Sequence, residues 1–346
     1  MRQHGFLGVV ALIALGCGPS APVHAPQPTS IASSKLASNG LAEPPKASTE
    51  LEWNGSEVVF ATVDEARALL GTSDEFTRTM GDFDRSVRFG ADRKLSEQAF
   101  LEYAAQQARA WPAETLPRWR GAVVAIAAAM KGLGLQFPSR VSLIVSTGKE
   151  ELDAAYTRGN AIVIPLAIAT RDADPFALIA HEMFHVASRH NPGIRDPLYG
   201  LLGFRRVARV SYPDEIAARR ITNPDAISFE HAIRVQRKAD DVALDVVALF
   251  YSKKSLSEAI SAGLMASLAL ELVELPAAGT NVKPRIIPVA TTDYLARASI
   301  NTEYAIHPEE TLADNFALLL KRRAKRAFAA PRQDVLDGIE AELAKQ

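Results

Sequence analysis

From Val63 to about Met130, apolar positions recur every three to four residues, the spacing that lines one face of a helix. Leu95–Trp111 keeps this period from a start at Ser96 to Ala99, and Pro112 closes it. Leu116–Leu133 is rich in alanine and nearly apolar on all sides from Gly121 to Met130, which predicts a buried helix. The pattern then shortens. Arg140–Ser146 and Ala161–Pro165 are compact apolar runs separated by a polar stretch containing Gly159-Asn160, and they predict two strands. Asp174-Pro175 opens the next helix, with aspartate suited to capping free amides and proline to the first turn. That helix runs from Phe176 through Arg189 and stops by Asn191-Pro192.

The second half mixes the two periods. Phe229, His231, Ile233 and Val235 alternate with Glu230, Ala232, Arg234 and Gln236, and Asp241–Tyr251 reads as the hairpin partner of that strand. Ser255–Leu275 reads as a helix followed by a strand. Pro308 opens a last helix, Glu309–Ala329, whose lysines and arginines collect in its C-terminal half, as the helix dipole favours. Helices, a small sheet, then further helices with late strands predict an α+β fold.

Composition narrows the class. The 346 residues are 48% hydrophobic and 23% charged, which excludes disordered and collagen-like chains. A formal net charge of −1 and the lack of a basic run with interleaved aromatics give no reason to expect a nucleic-acid partner. With one cysteine, the chain holds neither an internal disulfide framework nor a cysteine-rich zinc module.

That cysteine has a telling position. A charged start, Met1-Arg2-Gln3-His4-Gly5, precedes an apolar run, Phe6–Leu15, well short of the roughly 20 residues that span a bilayer. It fits the core of a secretory signal peptide. The run ends in Ala14-Leu15-Gly16-Cys17, which resembles the lipobox of bacterial lipoproteins, in which the cysteine is lipidated and becomes the first residue. The resemblance implies an envelope protein anchored through Cys17, and Gly18, which is no evident retention signal, favours the outer membrane. Residues 18–50, rich in Pro, Ser and Ala, read as a flexible tether. The folded part is then Leu51–Gln346. No later segment reads as membrane-spanning, since Gly121–Met130 is too short and Glu271 and Glu274 interrupt Ala259–Leu275.

Chemistry concentrates in His181-Glu182-Met183-Phe184-His185, inside the helix predicted after Pro175. Four residues advance a helix by about 400°, so both imidazoles project from one face, one turn apart. They can share one zinc ion, while Glu182, about 100° around the helix, stands close enough to exchange a proton with a water there. The flanking Leu178, Ile179, Phe184 and Val186 bury this helix, and buried imidazoles need partners.

A catalytic zinc takes three protein ligands and keeps one position open. The metzincin pattern needs Gly at 188 and His at 191, where this chain has Ser188 and Asn191. Gluzincins use a glutamate within Glu-x-x-x-Asp, and Glu310 is the one glutamate with aspartate, Asp314, four residues on. On His181, Glu182, His185, Glu310 and Asp314 the chain resembles the gluzincin-type zinc metallopeptidases. The resemblance implies a zincin-like fold, a small mixed sheet plus active-site helix with a mostly helical second part. It implies zinc on His181, His185 and Glu310, Glu182 as general base then acid, and Asp314 orienting one of the histidines. It also implies an edge strand, Ala161–Ile164, that binds extended peptide. Some 124 residues separate His185 from Glu310, far more than in many members, which leaves room for an insertion holding Phe229–Tyr251. Glu309 and His307 stand as substitutes for the third ligand. Tyr199, Tyr212, His231, Tyr294 and Tyr304 are candidates to stabilise an oxyanion. The expected activity is hydrolysis of peptide or protein substrates. The rivals are a non-catalytic binding or assembly lipoprotein with a structural or vestigial zinc, and a hydrolase of non-peptide amides.

Overall fold

The structure is a computed structural model, and it describes residues 51–345 apart from 54, 209, 211 and 277–283. Cys17, the signal segment and the tether lie outside the described residues. The N-terminal half comprises β1 (Leu51–Trp53), β2 (Ser56–Phe60), α1 (Val63–Leu70), α2 (Asp82–Phe89), α3 (Glu97–Gln106), β3 (Ala108–Arg109), α4 (Leu116–Met130), β4 (Arg140–Ser146), β5 (Tyr156–Arg158) and β6 (Ala161–Pro165). The C-terminal half adds α5 (Phe176–His190), α6 (Arg195–Leu201), β7 (Phe204–Arg206), β8 (His231–Gln236), β9 (Ala243–Ser252), α7 (Leu256–Ala262), β10 (Leu268–Glu274), β11 (Arg285–Pro288), α8 (Pro308–Arg323) and α9 (Gln333–Leu343). Short helical turns lie between them.

The first sheet is mixed. Its order is β1-β2-β4-β6-β5, with β2, β4 and β6 mutually parallel and β1 and β5 antiparallel at the edges. Both faces of its centre are covered, which explains the unbroken apolar run of β6 and the largely apolar one of β4. Val58, Leu143, Ile162 and Ile164 face the main core, while Ile144, Val163 and Tyr156 pack on Leu70, Phe100 and Ala104 of α1 and α3. The second sheet is a fully antiparallel meander, β11-β10-β9-β8-β7. The main core runs without a break from the first sheet through α4, α5 and α8 to the second, through Val141, Ile126, Phe184, Phe316, Val247 and Leu270. Phe184 of α5 and Phe316 of α8 meet with ring centroids 5.4 Å apart.

The α+β class, the strands at 140–146 and 161–165 and the hairpin of β8 with β9 agree with the sequence pattern. Four details differ. The second part is not mostly helical, because β7 to β11 build a five-stranded antiparallel sheet within it. The helix expected over Leu95–Trp111 ends at Gln106, because Ala108 and Arg109 join the end of β4 opposite Ser146 and Val145. The last helix stops at Arg323 and not near Ala329. Lys325, in the left-handed region at φ 54°, turns the chain toward α9, which the pattern did not reveal. Ala161–Ile164 is not an edge strand. Gly159, at φ 54°, makes a tight turn with Asn160 that folds β5 back along the outside of β6. No helix among the described residues is long and apolar enough to cross a membrane.

One buried ionic network ties the two halves together. The Arg88 side chain is only 1% exposed and donates through Nε to Asp84 (2.8 Å), through one terminal nitrogen to Glu151, and through the other to the Thr222 carbonyl (2.7 Å). Asp84 in turn accepts from the Thr222 amide at 2.8 Å. A guanidinium that satisfies three acceptors offsets its desolvation, but removing it strands two carboxylates. Arg88→Ala is therefore expected to destabilise the protein by about 3–5 kcal/mol, measured by urea unfolding followed through tryptophan fluorescence. A loss below about 1 kcal/mol would mean that the network is solvated.

Candidate metal centre

The packing of α8 on α5 assembles the site. His181 and His185 stand one turn apart on α5 with ring centroids 4.7 Å apart. Their Nε2 atoms both face Oε2 of Glu310 on α8, at 3.3 and 3.4 Å. Each ring is held from behind by its own carboxylate. Nδ1 of His181 lies 2.8 Å from Oδ1 of Asp314, and Nδ1 of His185 lies 3.1 Å from Oε1 of Glu309. A proton on each Nδ1, donated to its carboxylate, fixes the tautomer and turns the Nε2 lone pair inward.

The carboxylates are themselves secured. Glu309 accepts from Ser188 Oγ at 2.9 Å and from the Tyr199 hydroxyl, and Arg195 donates to Ser188 at 3.0 Å. Glu310 accepts from the Asn223 amide nitrogen through Oε1, and Asp314 from the Thr302 hydroxyl through Oδ2. Burial opposes charge on His181, yet its hydrogen bonds to Asp314 and Glu310 lift its pKa to about 10. His185 is also raised well above the usual histidine value: burial opposes its charge, but Asp225 and Glu310 outweigh it. Glu310 is lowered, because the two histidines outweigh its burial. The arrangement favours positive charge between these three side chains.

Three observations fit a metal ion there. Ligands on one tetrahedral zinc at roughly 2.0–2.1 Å lie about 3.3–3.4 Å from one another, and the two Nε2–Oε2 separations match that edge. His185 Nε2 is buried with no hydrogen-bond partner among the described residues. The donor set, two imidazoles and one carboxylate, is one that zinc takes. Glu182 also carries a buried oxygen, Oε2, with no hydrogen-bond partner. Burial, reinforced by Asp225, raises its pKa to about 8 against the pull of His181 and His185.

The cluster opens on a cavity of about 460 Å³ that Glu182, Asp225, Tyr304 and Glu310 help to line. Of the residues named from sequence, His181, Glu182, His185, Glu310 and Asp314 come together, and Asp314 pairs with His181. Glu309 and His307 do not replace Glu310. Glu309 points to the far side of His185, whereas His307 accepts from the Glu309 amide and pairs through Nε2 with the Ser228 carbonyl. Of the oxyanion candidates, Tyr304 lines the cavity, with its ring stacked beside His181 at 6.4 Å. The others are engaged elsewhere. Tyr199 supports Glu309, His231 pairs with Asp196, Tyr294 donates to the Ala305 carbonyl, and Tyr212 lines a separate small pocket.

Sequence reasoning missed the part played by Asn223 and Asp225. Asn223-Pro224-Asp225 has the residues of a turn, and Asp225 N does donate to Asn223 Oδ1 at 2.9 Å. The same two side chains also reach the site, and their nearest motif residue in the chain is more than 30 positions away. Glu309 carried a fainter signal. Adjacent helical residues point about 100° apart, so a ligating Glu310 leaves Glu309 to face another part of the same histidine pair.

Removing either outer carboxylate, in Glu309→Ala or Asp314→Ala, is expected to weaken zinc binding about 10–100-fold, measured by competition with a chromogenic chelator. Wild-type affinity in both variants would detach these carboxylates from the cluster's function. Comparison with protein-family models, curated proteins and solved structures finds no match, so the functional reading rests on the geometry above.

Proposed function

We propose that this chain is a zinc-dependent peptidase of the gluzincin type, tethered to the bacterial envelope through a lipid on Cys17. The observation that carries the reading is the convergence of two Nε2 atoms and one carboxylate oxygen at the tetrahedral edge length, with Glu182 Oε2 unpartnered beside them. His181, His185 and Glu310 would hold the ion. Zinc in such a site supplies a water of lowered pKa and polarises a carbonyl. Glu182 takes the proton of the attacking water and returns it to the departing amine nitrogen. Asp314 and Glu309 keep both imidazoles in the tautomer that ligation needs, and Tyr304 faces the cavity where a carbonyl oxygen gains charge.

The edge strand that could pair with an extended substrate is β5. Asp153, Ala154 and Ala155, just before it, line the cavity. A main chain laid there would gain backbone hydrogen bonds that are indifferent to its sequence. The zincin-like fold, a sheet with its active-site helix facing a helix that brings the glutamate, belongs to the same proposal.

The non-catalytic alternative needs a fourth protein ligand to close the metal site. His231 and His307, the candidates for that role, are committed to Asp196 and Ser228. A purely structural ion would also give Glu182 no task.

The full chain is expected to bind about one zinc and to lose it in Glu310→Ala. Glu182→Gln should keep the zinc while hydrolysis of a mixed peptide pool falls by about 10²–10⁴-fold. Metal analysis and mass spectrometry read the two quantities separately. A metal-free parent would overturn the proposal, as would full activity in Glu182→Gln.

A further inference from the structure

Asp225 is an acidic residue of the cavity that the peptidase reading leaves without a task. One of its carboxylate oxygens, one of Glu182 and a ring nitrogen of His185 all lie within 4.8 Å of one another, so Asp225 stands beside the position proposed for the metal. Its Oδ1 accepts from the Thr157 amide at 2.8 Å and from the Thr157 hydroxyl at 2.5 Å. Nothing comparable engages Oδ2, and no ion pair to Asp225 occurs among the described residues. The nearby Arg189 donates instead to Thr157 Oγ1 and to the carbonyls of Gly159 and Pro224. Facing Asp225 is Glu182, only 3% exposed, with its unpartnered Oε2. A carboxylate oxygen so placed in a low-dielectric cleft can hold a cation beyond the metal.

The topology says which cation. The Thr157 amide points away from β6, along the outer edge of β5, and Asp225 occupies it. In an antiparallel pair, bonding residues alternate, so the next outward-facing backbone group is at Ala155. A substrate strand running antiparallel to β5 has its C-terminal side toward Asp153 and its N-terminal side toward Thr157. Asp225 blocks that N-terminal side. The amino nitrogen of a peptide's first residue is two bonds from the first carbonyl carbon, which matches a carboxylate set beside the metal position.

We propose that Asp225 receives the protonated amino terminus of the substrate, which makes the enzyme an aminopeptidase that removes single N-terminal residues. This rests on the peptidase reading and adds its substrate class, peptides with a free amino terminus. The reaction balances as ordinary hydrolysis. Water adds across the first peptide bond, the new C–O bond forms as C–N breaks, and Glu182 carries the water's proton to the leaving nitrogen.

The test uses the zinc-loaded full chain with two copies of one peptide, one with a free amino terminus and one acetylated, followed by mass spectrometry. Release of the first residue from the free peptide, at least tenfold faster than any cut in the acetylated one, supports the proposal. Asp225→Asn, which keeps an acceptor for Thr157, should retain zinc and lose that preference. Internal cuts in both peptides at similar rates would overturn the proposal while leaving the peptidase reading intact. Loss of zinc in Asp225→Asn would overturn it by making Asp225 a ligand. Calorimetry with zinc-loaded Glu182→Gln provides a readout that needs no turnover. Tighter binding of the free peptide, abolished by Asp225→Asn, supports the amine site even if neither peptide is cut, in which case the peptidase reading alone fails. Equal or absent binding of both peptides overturns the amine site.

Discussion

Two imidazoles and three carboxylates meet where α5 packs on α8, and His185, Glu309 and Glu310 are almost wholly removed from water. Burying so many ionisable groups is costly unless each is paired. The structure meets that requirement in layers. Each imidazole has a carboxylate on its outer nitrogen, and each carboxylate has a hydroxyl or amide of its own. At the centre, two lone pairs and a carboxylate oxygen are left facing one point. Phe184 packs edge-on against His185 with ring centroids 6.3 Å apart and keeps water from that side, which strengthens the interactions there. Core and cluster draw on the same contact, because two of the helices that form the core also carry the histidines and their carboxylates.

The central strands of the first sheet were among the easiest elements to read from the chain. β6 is apolar throughout and β4 largely so, because helices cover both faces of their sheet. Boundaries failed where tertiary pairing overrode local preference, as at Ala108-Arg109, which left a helical pattern to join β4. β5 was hidden because Tyr156–Arg158 is three residues long and carries two polar side chains. Those side chains are spent on loops, Arg158 on Asp74 and on the carbonyls of Leu70 and Thr72, and Thr157 on Asp225. A strand defined by what its neighbours need has no period of its own.

The site divides the same way. The two residues at helical spacing on α5, and Glu310 with Asp314 on α8, are legible because a helix converts sequence spacing into direction. Glu309 is legible in part, since its neighbour's role constrains its own. Asn223, Asp225 and Thr302 are not, because they reach the cluster from irregular chain, where spacing carries no directional meaning. Their positions depend on anchors elsewhere.

Those anchors give the long segment between α5 and α8 a reason to be large. From β7 to β11 it builds a sheet of its own on the shared core, and on the way it delivers one loop to the histidine–carboxylate cluster. Thr222 is gripped at both its amide and its carbonyl by Asp84 and Arg88 of α2, while Asp225 is fixed on β5 by Thr157. Between these two clamps only Asn223 and Pro224 remain, so the Asn223 side chain is presented to Glu310 with little freedom. Arg88 also binds Glu151, at the start of the turn that runs through Leu152 and Asp153, both in the left-handed region, into the cavity wall at Ala154 and Ala155. One buried guanidinium therefore sets the distance between the two irregular walls of the cavity, and the ion pairs that secure it are sealed from the screening that weakens such contacts at a surface. Geometry at the histidine–carboxylate cluster is thus inherited from a network that touches none of its members.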